Sequence, residues 1–239
     1  MKYFFSFISA TLFLLAIACK KSSQPPGTAS LNIVNTVMGS SGLVTNFTSE
    51  NADKSSESFS YHNSLDIDFG SFQEIGYYFG ATPLLLAEKT DTNNIVFRGQ
   101  LNLPIGSVHT LFMTGTLTQP DTVFTEDHIP YYPYTGDTVT GLRFINSSPV
   151  NRSIVITLQS DSGHNPIGNA LAYKTVTNFQ SYSANSTAQS AGYSFEFRDA
   201  VSDSLLATFP LNIVSYKSQT LVFYGTDSTG LSVMAVNNF

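Results

Sequence analysis

The chain has 239 residues, of which 12% are charged; 31 serines and 25 threonines carry much of its polarity instead. Hydrophobic residues reach 42%, with 19 Phe and 12 Tyr, enough for a core and against wholesale disorder. A net charge of −6 argues against nucleic-acid binding, and a single cysteine excludes a disulfide framework or a multi-cysteine zinc site.

Residues 1–18 read as targeting. Lys2 provides the positive start, and Tyr3 to Ala18 runs without a charge, shorter than the ~20 apolar residues of a membrane-spanning helix. The run ends at Leu15-Ala16-Ile17-Ala18-Cys19, followed by Lys20-Lys21. Small residues before a lone cysteine resemble the bacterial lipoprotein lipobox, in its looser Bacteroidetes-type form with Ala16 where leucine is usual. The resemblance implies that Cys19 is the lipid attachment site of an outer-membrane lipoprotein, facing the periplasm or the surface. Residues 19–28, with Pro25, Pro26 and Gly27, read as a flexible tether.

Beyond the tether the apolar period is two. Phe59-Ser60-Tyr61, Ile154 to Gln159 and Tyr193 to Phe197 alternate, whereas Leu221 to Tyr224 and Val233 to Val236 read as strands buried on both faces. Ser40-Ser41-Gly42, Asn93-Asn94, Pro104 to Gly106, Asp161 to Gly163 and Asp227 to Gly230 mark turns. Pro83 to Lys89 tempts a helix assignment, but an internal repeat sets it beside Tyr193 to Asp199, so it is predicted as strand.

That repeat organises the chain. Leu31-Asn32-Ile33-Val34-Asn35 recurs as Leu142-Arg143-Phe144-Ile145-Asn146, an offset of 111. Ile95–Thr116 laid on Leu205–Thr226 gives six identities, at an offset of 110, and continuing that offset aligns Val123 with Val233. The fold prediction is all-β: two tandem antiparallel β-sandwich domains, immunoglobulin-like in architecture only, at 29–137 and 138–239, after an N-terminal signal helix and the tether. Between them, Tyr131, Tyr132 and Tyr134 flank Pro133. At least two of these rings are expected to pack at the junction of a semi-rigid rod, and the three are also the ligand-binding candidates.

Leu142-Arg143-Phe144-Ile145-Asn146-Ser147-Ser148-Pro149 resembles the opening strand of domain-of-unknown-function family 4397, with its R-h-h-[HN]-x-[SA]-P pattern. Thr125-Glu126-Asp127 resembles the way such modules close. The resemblance covers nearly the whole mature chain and implies tandem β-sandwich modules in secreted or lipid-anchored bacterial proteins, without catalytic residues to carry over. The first copy departs from the pattern: Asn32 stands where the second has Arg143, and Thr36-Val37-Met38 where it has Ser147-Ser148-Pro149.

Chemistry-bearing motifs are sparse. His62, His109, His128 and His164 show no metal-ligand spacing, and no nucleophile elbow, phosphate loop or dinucleotide loop is present. Asp66 with Asp68, Glu126 with Asp127, and Asp199 with Asp203 are the carboxylate groups that could serve a Ca²⁺ site or a glycosidase-like pair. Tyr77-Tyr78-Phe79 joins the linker tyrosines as a stacking platform. The reading is a non-catalytic cell-envelope lipoprotein without cofactor or metal, binding a glycan, peptide or envelope protein. A structural or adhesive spacer is the alternative, and a carboxylate-based hydrolase a further one.

Overall fold

A computed structural model describes residues 27–47, 65–78, 80–132, 138–150, 152–160 and 163–238. The signal segment, Cys19, most of the tether, the strand at Phe59-Ser60-Tyr61, His62 and Tyr134 lie outside them, as do the side chains of Tyr77, Tyr78 and His164.

The N-terminal half comprises β1 (Thr28–Asn35), β2 (Gly42–Asn46), β3 (Asp66–Asp68), β4 (Ser71–Tyr78), β5 (Gly80–Glu88), β6 (Asp91–Leu103), β7 (Val108–Thr116) and β8 (Gln119–Glu126). The C-terminal half comprises β9 (Val139–Asn146), β10 (Ile154–Ser160), β11 (Gly163–Pro166), β12 (Gln180–Ser183), helix α1 (Ser186–Ala191), β13 (Tyr193–Asp199), β14 (Leu205–Leu211), β15 (Ser218–Thr226) and β16 (Gly230–Asn237). Each half holds two four-stranded sheets: β4-β1-β7-β8 over β3-β2-β5-β6, and β12-β9-β15-β16 over β11-β10-β13-β14. The all-β class holds. Pairing is antiparallel except for β1 with β7 and β9 with β15, which run parallel. Residues 84–88 are strand, as the repeat implied, but the offset in this strand is 111 and not 110: Leu84 and Leu86 are buried where Phe195 and Phe197 are buried in β13.

Alternation along the inner strands gives each half its own core. Leu31, Ile33, Leu111 and Met113 point inward onto Leu43, Ile67, Leu84 and Leu86. Leu142, Phe144, Leu221 and Phe223 do the same onto Ile154, Phe195 and Phe197. The opposite face of those strands would be solvated in a free-standing sandwich. Here it is buried too. Val34, Phe112, Ile145, Val222 and Val236 form a third cluster in which the β4-β1-β7-β8 sheet backs onto the β12-β9-β15-β16 sheet. Each such side chain contributes about 1.5–3 kcal/mol on burial, so the halves are joined through four stacked layers.

Equivalent residues meet across this seam. Thr36 Oγ1 lies 2.6 Å from Ser147 Oγ, and Asn238 Nδ2 donates to Asp127 Oδ2 at 3.0 Å, both pairs separated by 111 residues. Self-pairing of equivalent positions is the mark of an approximate two-fold relation. The register also corrects the alignment of the last strand. Phe112 pairs with Val123 while Val222 pairs with Met234, so Val123 corresponds to Met234 and not to Val233. The cause is one extra residue in the β15–β16 turn, Thr226 to Gly230 against Thr116 to Gln119. A one-residue slip exchanges faces: Val233 serves the C-terminal core, Met234 the seam.

Of the linker tyrosines, Tyr131 is 88% exposed, Tyr132 packs over Gly141 with its hydroxyl 3.5 Å from Ser218 Oγ, and Tyr134 lies outside the described residues, so the expected packing of two rings is met by one described ring. The two apolar faces described above join the halves directly.

Candidate functional site

The opening motif of the second copy runs along β9, and each residue has a job. Phe144 enters the core and Ile145 the seam. Asn146 donates to the carbonyls of Arg152 and Leu171 and accepts from Ser148 N. Ser148 Oγ donates to Gly225 O at 2.6 Å. Arg143 crosses the seam: its Nη1 is 2.7 Å from Asp127 Oδ1, Nε donates to Thr220 and Nη2 to Thr110. Phe179 lies under the guanidinium, 4.7 Å from Cζ to the ring centroid. Asp127 accepts in addition from Thr110, Thr125 and Asn238. Burial pushes the Arg143 pKa down, opposed by Asp127, yet arginine stays protonated throughout the working range. Sequence reading singled out Arg143 and Asp127 separately; only the seam joins them. The symmetry-related position, Asn32, donates to Asn237 O at 3.3 Å. Among the described residues one buried charged pair therefore occupies the seam, with Asn32 standing where a second arginine would be, while Lys174 and Asp121 pair between the halves at the surface.

A second feature belongs to the C-terminal half alone. In the N-terminal half β4 is zipped to β1 over eight residues, from Thr28 with Tyr78 to Asn35 with Ser71. In the C-terminal half Val176 bridges Ile145, and regular pairing resumes only at Gln180 with Leu142. Four steps from Val176 to Gln180 oppose three from Ile145 to Leu142, so the chain bulges here. The bulge sends Phe179 onto Arg143 and leaves a cleft of about 520 Å³, lined by Phe144, Ile167, Asn169, Thr177, Asn178 and Gln180 among others. No lining residue is ionisable. Thr177 Oγ1 accepts from Phe144 N, and Asn169, Asn178 and Gln180 are exposed. Such a surface suits a neutral ligand rich in hydroxyls or amides. Nothing in the sequence of 167–180 announced it, because the cleft comes from a register change and not from a motif.

The other predicted residues fall as follows. Asp66 and Asp68 share one strand face, as their spacing implied, and both pair with Lys89, at 2.9 and 3.4 Å. Glu126 is exposed while Asp127 is buried in the seam. Asp199 pairs with Arg152 and Asp203 with Arg198. Backbone N–H groups of Ser202 and Val201 hold the Asp199 carboxyl below its usual range, helped by Arg152. Asp66 and Asp68 thus meet on one lysine, Glu126 and Asp127 divide between surface and interior, and Asp199 and Asp203 hold separate arginines. His109 stacks on Phe124 with centroids 5.0 Å apart, one ring nitrogen 2.8 Å from Ser107 Oγ, and His128 lies on the surface. Among the described residues no group of three His, Cys, Asp or Glu is placed to hold a metal, and no helix is long and apolar enough to cross a membrane.

No family model and no curated protein matches the chain. Solved structures similar to it include a candidate cell-adhesion protein from Bacteroides uniformis (9% identity, 88% of this chain and 98% of that one, TM-score 0.26). A family CBM26 module of Eubacterium rectale Amy13K, solved with maltoheptaose, has 11% identity over 86% and 96% of the two chains, with a TM-score of 0.28. A candidate adhesin from Bacteroides ovatus has 12% identity over 92% and 96%, with a TM-score of 0.25. At such scores these likenesses carry neither the fold nor the function of this chain.

Proposed function

We propose that the chain is a lipid-anchored, non-catalytic binding module of the bacterial outer membrane, held through Cys19, whose C-terminal half receives a glycan or peptide in the Phe144–Gln180 cleft. The observation that carries the reading is the bulge between Val176 and Gln180, which opens an uncharged, amide-rich cleft on an otherwise regular sandwich. Bulges commonly re-aim side chains beside functional sites. We also propose membership of domain-of-unknown-function family 4397, supported by the seam, which gives Arg143, Asn146 and Asp127 one connected structural role.

Glycan and peptide arrays test the ligand. Binding is expected to fall roughly ten-fold or more in an Asn169→Ala/Asn178→Ala variant, the loss of two or three hydrogen bonds worth about 0.5–1.5 kcal/mol each. Binding unaffected by the pair would overturn the cleft. The spacer reading is favoured by the buried seam, which makes the halves one stiff body. It predicts no array signal and an unchanged shape on cleft substitution.

A further inference from the structure

The two ends of the molecule differ in chemistry. At one end the chain enters β1 at Thr28, whose carbonyl accepts from Gly106 N in the β6–β7 turn. Tyr216, in the β14–β15 turn, donates in the same way to Val139 O at the start of β9. Asp127 and Asn238 meet there, and the linker with Tyr131 leaves from there. This tether end displays Ile105 (60% exposed), Tyr131 (88%) and Val214 (50%). Among the described residues the exposed ionisable groups around them are Glu126, His128 and Lys217. The opposite end carries the ion pairs Lys89–Asp66, Arg152–Asp227, Lys174–Asp121 and Arg198–Asp203. In a chain with only 12% charged residues, that segregation of charge leaves a charge-poor tip on the side of the expected anchor; exposed apolar side chains occur at both ends, but at the far end Val201 and Leu205 stand among the ion pairs.

We infer that the tether end docks on the lipid surface, with Ile105, Tyr131 and Val214 seated among the headgroups. The inference rests on the anchor at Cys19. Only seven residues lie between Cys19 and Gly27, eight steps spanning at most about 28 Å when fully extended, so this end is held at the bilayer. An aromatic ring flanked by aliphatic side chains is what the membrane–water interface favours. Docking here presents the charged end, and the β13–β14 turn with it, away from the membrane.

The chain contains no Trp, so one introduced residue reports alone. The test uses the full-length acylated protein in vesicles of phosphatidylethanolamine and phosphatidylglycerol doped with brominated lipid. Palmitate-analogue labelling and flotation read the anchor; tryptophan quenching reads the docking. Tyr131→Trp is expected to shift to the blue and be quenched. Val201→Trp, at the opposite end where Val201 is 96% exposed, is expected to show neither change. Adding Ile105→Ser and Val214→Ser to Tyr131→Trp should lower the quenching roughly two-fold or more, as the interfacial footing is removed. Labelled, floating protein without quenching at position 131, or with equal quenching at 201, overturns the docking and leaves the anchor standing. Absent labelling and flotation overturn the anchor and the docking with it.

Discussion

Asn35 and Asn146 do the same work in the two halves, and what surrounds them differs. Each ends its first strand and donates from Nδ2 across the sandwich, to Ile67 O in one half and Leu171 O in the other, while its Oδ1 accepts a backbone N–H two residues on. Each backbone carbonyl then accepts from a residue with positive φ: Gly70 at +69° and Lys174 at +67°. The preceding aromatic, Phe69 or Tyr173, reaches across the seam toward Tyr224 or Thr114. The equivalence runs at an offset of 104 here, with no identity between Ile67-Asp68-Phe69-Gly70 and Leu171-Ala172-Tyr173-Lys174. A backbone geometry has been kept while its side chains changed, because what the site requires is a carbonyl, an N–H and a left-handed turn. The comparison teaches that the seam, not the sequence match, marks which positions are equivalent.

The largest expected effect breaks the asymmetry of the seam. Arg143→Ala leaves Asp127 buried without its cation and should cost about 3–5 kcal/mol in denaturant unfolding. Arg143→Asn with Asp127→Asn, which makes the pair resemble Asn32 and Asn238, should cost clearly less than the two single changes added. Full additivity would show that the charges do not act as a pair.

Asn146→Ala should cost more than Asn35→Ala. Both leave buried carbonyls without a donor, at about 1–3 kcal/mol each, but Asn146 serves Arg152 O as well as Leu171 O. Equal losses would place the two asparagines on the same footing and remove the distinction. Smaller again is the turn. Gly70→Ala sets a Cβ 2.7 Å from Tyr224 Oη in left-handed backbone and should cost about 1–2 kcal/mol. Lys174→Gly relaxes the same backbone while releasing the 2.7 Å contact to Asp121, so its melting temperature should move little.

The smallest effect concerns the carboxylates that close the β5–β6 and β13–β14 hairpins. Burial works against the Glu88 charge, but Ser41, Ser40 and Thr90 donate to it and hold its pKa below the ordinary value. The folded state therefore favours the ionised form. Its contribution is complete above the unfolded carboxylate pKa and is lost as pH falls through the lowered folded one. Melting temperature measured from neutral to acid pH should decline less steeply in Glu88→Gln than in the parent. An unchanged acid limb would show that the hydroxyls hold the amide as well as the carboxylate. Asp199, held by backbone N–H groups and Arg152, should show the same sign.

Much of this protein could be read from its residues. Period-two patterning and the 110-residue repeat gave the class, the strand at 84–88 and the core positions Leu31, Leu111, Leu142 and Leu221, because alternation with a buried face is a local property of the chain. The double burial of Leu221 to Tyr224 was visible as an unbroken apolar run, but its cause was not: a sequence shows that a strand has two apolar faces, not what covers the second. Arg143 and Asp127 stood out as a motif and an acidic ending without any sign that they touch, since their meeting depends on how one sheet sits on another. The cleft was hidden for a similar reason. One extra residue between Val176 and Gln180 alters the pairing only against β9, and the slip between Val233 and Met234 shows how a single turn residue decides which face enters the core. Local alternation is set by neighbouring residues along the chain; register, seam and cleft are set by the partner strand, and tertiary structure alone supplies the partner.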